Sequence, residues 1–127
     1  LTVGSGESAV HGLLVTNLAA DTVAVMTNGQ LTASVTDKDG RRVGGYAGGQ
    51  FAMGVRFSIA PASTVRIPLL VATASTRGAL GFAVPPGRWW LTAPLDVDRD
   101  WNDTAERALK PRSTQYLITP TLEFTVR

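Results

Sequence analysis

"QFAMGVRFSI", residues 50–59, decides the fold class. Phe51, Met53, Val55, Phe57 and Ile59 fall on one side of an extended chain. Ala52, Gly54, Arg56 and Ser58 fall on the other. A period of two marks a strand with one buried and one wet face. Sheets of such strands are usually antiparallel. The same pattern recurs outward from this stretch. "QLTASVTD" (30–37) sets Leu31, Ala33 and Val35 against Thr32, Ser34 and Thr36. "TLEFTVR" (121–127) sets Leu122, Phe124 and Val126 against Glu123, Thr125 and Arg127. "RWWLTAPLDVDRD" (88–100) puts Trp89, Leu91, Ala93, Leu95 and Val97 on the apolar face, with Trp90, Thr92, Pro94, Asp96 and Asp98 opposite.

Turn signals punctuate these runs. "DKDGRR" (37–42) carries Asp-Gly between two strand patterns and predicts a hairpin. "APAST" (60–64) and "VPPGRW" (84–89) are Pro-containing turns. The spacing predicts strands over 9–18, 22–27, 30–36, 41–46, 51–59, 65–73, 80–84, 88–97 and 116–126. Pro68 and Pro94 lie inside strand patterns, which assigns those segments to sheet edges or bulges. "DWNDTAERALKPR" (100–112) breaks the alternation. Asp103 stands three residues before Glu106, helix formers follow, and Pro111 ends the run, so a short helical turn in a long loop is expected. Eight to nine short strands predict an all-β, antiparallel sandwich in a single domain over 1–127.

The composition agrees. A chain of 127 residues, 44% hydrophobic and 17% charged, suits one folded domain. The net charge is only +2, and the arginines are scattered along the chain, so a nucleic-acid partner is not expected. The absence of cysteine excludes disulfides, thiolate nucleophiles and cysteine-based metal sites. No apolar run reaches membrane-spanning length. The chain begins at Leu1 without Met or a signal-peptide pattern, which suggests a trimmed or mature fragment and an extracellular or cell-envelope setting.

A strand ending in a Pro turn ("VRFSIAPAST", 55–64) is followed by "VRIPLLVATAS" (65–75). A Pro-Gly corner then leads into an aromatic strand ("VPPGRWWLTAPLDV", 84–97), and "YLITPTLEFTVR" (116–127) closes the chain. Over roughly residues 51–127 this cadence resembles the Ig-like β-sandwich modules of bacterial proteins, including the intracellular proteinase-inhibitor type. The resemblance implies an Ig-like sandwich. It supplies no inhibitory-loop motif to carry over.

"DVDRDWND" (96–103) is the stretch most suggestive of chemistry. An EF-hand loop needs Gly at its sixth position and Glu at its twelfth. Counted from Asp96, those positions hold Trp101 and Arg107. A looser oxygen cage from Asp98, Asp100 and Asp103 stays open, and so does a carboxylate-based hydrolase. The simpler expectation is that the aspartates are the solvated end of a strand. No cofactor is expected. His11 is the only histidine and no G-x-S-x-G is present, so neither a multi-histidine metal site nor a serine nucleophile is expected. The Gly pairs at 44–45 and 48–49 lack the pattern of a phosphate loop and are expected to be a flexible connection. "NDT" (102–104) fits the glycosylation acceptor pattern, a short motif that also arises by chance.

Two binding functions follow. The first is a non-enzymatic accessory module that meets a protein partner through a sheet edge or the 98–115 loop. The second is a carbohydrate-binding module. It would stack a sugar on Trp90 and Trp101, with Asp98, Asp100 and Asp103 as hydrogen-bond acceptors.

Overall fold

A computed structural model of the chain describes residues 1–50, 53–98 and 114–127. Thirteen short strands are found among them: β1 (Thr2–Val3), β2 (Ser8–Thr16), β3 (Val23–Thr27), β4 (Leu31–Thr32), β5 (Ser34–Thr36), β6 (Arg42–Gly45), β7 (Val55–Ile59), β8 (Thr64–Ala72), β9 (Ala74–Ser75), β10 (Gly87–Thr92), β11 (Pro94–Asp98), β12 (Thr114–Ile118) and β13 (Leu122–Val126). They form three sheets in the orders β1-β13-β10-β5-β6-β9, β12-β11-β3-β7 and β2-β8-β4. The fold is all-β and sandwich-like.

The number of strands exceeds eight or nine because long strands bend and change sheet. Ala33 separates β4 from β5, Thr73 separates β8 from β9, and Ala93 separates β10 from β11. At one end the six-stranded sheet holds β13 and β10 beside β5, β6 and β9. Towards the other end the continuations part. β11 and β12 join the four-stranded sheet, while β4 and β8 join the three-stranded one. Strands that switch sheets at such corners are a known way to turn a sandwich. Thr73 fixes its corner: its hydroxyl donates to the Gly4 and Glu7 carbonyls at 2.7 and 3.1 Å. Its carbonyl accepts from the Val84 amide at 2.8 Å.

The predicted alternation holds through most of these stretches, whereas Met53, expected on the buried face, is 58% exposed. Leu31, Ala33, Val35, Leu91, Ala93, Leu95, Val97, Phe124 and Val126 are all buried. They share one core with Val25, Ile59, Ile67 and Val71, and Trp89 packs against it. The indole of Trp89 donates to the Pro85 carbonyl at 2.9 Å.

Several expectations need correction. Two of the three sheets are mixed, since β1 runs parallel to β13 and β4 parallel to β8, while the four-stranded sheet is antiparallel throughout. The strand expected at 80–84 is a 3-10 turn at Gly78–Leu80 followed by a lone bridge from Ala83 to Ala74. The strand expected over 51–59 begins at Val55. Gly44 and Gly45 are buried members of β6, paired on both sides, and not a flexible connection. Pro68 lies in β8, the central strand of its sheet. Its missing N–H costs nothing there, because β4 begins pairing only at Leu69. Pro94 uses the same solution, since β3 meets β11 only from Asp96 onward. The helical turn expected at 100–112 lies outside the described residues.

The "DKDGRR" hairpin joins β5 to β6 as expected. The Asp37 carboxylate accepts from the Asp39 and Arg41 amides, each at 2.9 Å. Gly40 supplies the positive φ of 79° that the turn requires. The Arg41 amide bond is the main cause holding the Asp37 pKa below its ordinary value. Desolvation is the next cause and opposes it, while the Asp39 amide and the Arg41 and Arg77 charges reinforce it. A folded pKa below the unfolded one gives stability that is present above the unfolded value, about 3.9. That stability is lost as pH falls through the folded value. In an NMR titration Asp37 is expected to protonate below the ordinary range. A midpoint at or above it would contradict these hydrogen bonds.

Candidate apolar cleft and strand edge

The described residues do not bring the sequence-derived site together. Trp90 is half-buried on the outer face of the six-stranded sheet, in register with Thr36 and Glu123. Asp98 belongs to a different sheet, at the end of β11, and is only 1% exposed. The solvated strand end expected of the aspartates is therefore not found at Asp98. Its cross-strand partner Ala24 in β3 is also fully buried, so the face that Asp98 shares with Ala24 is covered at this end of the sheet. Asp96 is half-buried. Asp100, Trp101 and Asp103 lie outside the described residues. Among the described residues, no group of three or more His, Cys, Asp or Glu could hold a metal ion. His11 sits in edge strand β2, and its Nε2 is buried without a hydrogen-bond partner among the described residues.

A different feature stands out. The three-stranded sheet ends at β2, which pairs only with β8 among the described residues. The backbone hydrogen bonds fix which groups are spare. The Asn17 amide donates to Ser63 and the Thr73 amide donates to Glu7, so the hydrogen-bonded pairs with β8 fall on the odd positions of β2. Val10, Gly12 and Leu14 therefore point their N–H and C=O groups away from β8, along a free edge. Gly12 also makes room on the outer face for the Arg66 side chain, which lies where a Cβ would go.

Beside this edge the sandwich gapes. An apolar cleft of about 350 Å³ lies between Leu13–Thr16 of β2, Leu69 of β8, the Leu91–Leu95 stretch and residues Leu117–Pro120 with Leu122. Ala33 and Ala93, the small residues at two of the corners, also line it. Leu117 pairs with Leu95, and Leu122 pairs with Leu91, so both share the core-facing side of their strands. They are nevertheless 37% and 56% exposed. Leu14 on the opposite rim is 68% exposed.

Sequence reasoning missed this cleft. It treated 116–126 as one strand, whereas Thr119–Thr121 separates β12 from β13. The available signal was "YLI" at 116–118, an apolar run with no polar alternate, placed just before Pro120. No family model, no curated protein and no solved structure matches the chain. No described helix is long and apolar enough to cross a membrane.

Proposed function

We propose that this chain is a non-enzymatic, Ig-like binding or accessory module of a bacterial protein, exported to the cell envelope or beyond. It engages a protein partner through the β2 edge. The observation that carries this reading is the coincidence of a strand edge unpaired among the described residues with an open apolar cleft. An edge offers a row of donors and acceptors to an incoming strand, and alternate side chains of that strand enter the pockets beside it. A strand added to β2 would satisfy Val10, Gly12 and Leu14 and roof the cleft over Leu117 and Leu122. Large apolar patches left open in this way mark interaction sites.

The experiment is to pan the full chain against random linear peptides displayed on phage. Enriched sequences are expected to carry apolar residues at alternate positions. Leu122→Asp puts a charge into the cleft at an exposed position. It is expected to weaken binding of an enriched peptide by about 2 kcal/mol, roughly thirtyfold, with stability changed by less than about 0.5 kcal/mol. Enriched peptides without alternation, bound equally well by the variant, would reject the β2 edge as the site.

A further inference from the structure

β11 and β12 each have a second face. Leu95 and Leu117 face the cleft, while Asp96 and Tyr116 form the next cross-strand pair and face outward. Met26 of β3 stands in register on the other side of Asp96. At this outer face a separate groove of about 310 Å³ opens where β4 and β11 part. Asn28, Gln30 and Gln50 line it together with Asp96 and Tyr116. None of the three amide side chains makes a hydrogen bond to a described residue. The Asp96 Oδ1 is buried with no hydrogen-bond partner among the described residues. Tyr116 is 76% exposed.

We infer that this groove is a saccharide-binding site. Three unengaged amides supply paired donors and acceptors, which match the vicinal hydroxyls of a sugar ring. The Asp96 carboxylate supplies a strong acceptor for a hydroxyl proton. Tyr116, directly beside it, offers a flat apolar face for the ring to stack on and a phenolic hydroxyl at its tip. The volume is at the small end of ligand sites, which run from roughly 300 to 1,000 Å³, and it suits one or two sugar rings. An apolar peptide fits poorly, because it would leave the amides and the carboxylate unpaired. This groove is distinct from the sugar site expected at Trp90 and the 98–103 aspartates, and lies on another sheet from Trp90. This site is independent of the β2 edge, and either can fail without the other.

The test uses fluorescently labelled full chain on a glycan microarray, followed by NMR titration of the best binder. At least one oligosaccharide is expected to bind. It should move the amide resonances of Met26–Thr32, Leu95–Asp96 and Gln115–Leu117. Tyr116→Ala is expected to weaken that binding about tenfold, and Gln30→Ala should weaken it without altering the rest of the spectrum. No glycan bound on the array would overturn the inference. So would binding that perturbs other residues, or that both variants leave intact.

Discussion

Replacing Asn17 by Ala is expected to cost about 3 kcal/mol of stability and to lower Tm by roughly 10 °C. Asn17 follows β2 and is 4% exposed. Its side-chain amide donates to the Ile59 carbonyl at 2.9 Å and to the Asp21 carbonyl at 2.8 Å. Its Oδ1 accepts from the Ala19 amide at 2.8 Å. Its backbone adds a bond to Ser63 at 3.0 Å and another from Ala62 at 2.9 Å. One residue therefore ties the β2–β3 loop to the β7–β8 turn, where Ala62 is held at a φ of +59°. Alanine keeps the backbone bonds and removes all three side-chain bonds, leaving the buried Ile59 carbonyl without its donor. Asn17→Asp keeps the acceptor for Ala19 but turns a carboxylate towards two carbonyls. It is expected to be at least as destabilising, and to recover partly at acid pH when the carboxyl can donate. Chemical denaturation of both variants checks this. A loss below about 1 kcal/mol for Asn17→Ala would show that the turn holds itself together.

Gly44→Ala is expected to cost about 2–3 kcal/mol by overpacking, while Gly49→Ala should be close to neutral. The two glycines belong to neighbouring pairs in "VGGYAGGQ" (43–50) and look alike in sequence. A Cβ on Gly44 would lie 2.5 Å from the Ala74 carbonyl oxygen and would collide with the buried Val84 side chain. Strands β5 and β9 flank it on both sides, so the backbone has little room to yield. A Cβ on Gly49 meets nothing within 4 Å. The pair of midpoints from urea unfolding separates the cases. Equal midpoints would mean that β6 does not approach β9 as closely as described.

The contrast between these glycines shows what was legible in the sequence. Local alternation revealed the fold class and most of the core, because the period of two is written residue by residue. Leu31, Val35, Leu91, Leu95 and Phe124 all bury as it requires. Sheet partners were not legible. Nothing local says that Gly44 must pass the Ala74 carbonyl, or that Pro68 can sit in a central strand because β4 is too short to reach it. The corners at Ala33, Thr73 and Ala93 were hidden for the same reason, since alternation continues through a bend. The candidate site was less legible still. Asp98 reads as the wet end of a strand and is buried. Leu122 reads as core and is open. Its exposure depends on how the sheets part beside it, a property of the whole fold.

The central claim is that the β2 edge and the cleft beside it take an added strand. The most direct measurement is amide hydrogen exchange at β2, with and without a peptide enriched in panning. In the free protein, the outward amides of Val10, Gly12 and Leu14 should exchange much faster than those of Ala9, Leu13 and Val15, which are bonded to β8. With peptide bound, the outward amides are predicted to slow to the pace of their neighbours. Outward amides that stay fast while the peptide is bound would contradict the account and place the partner elsewhere on the molecule.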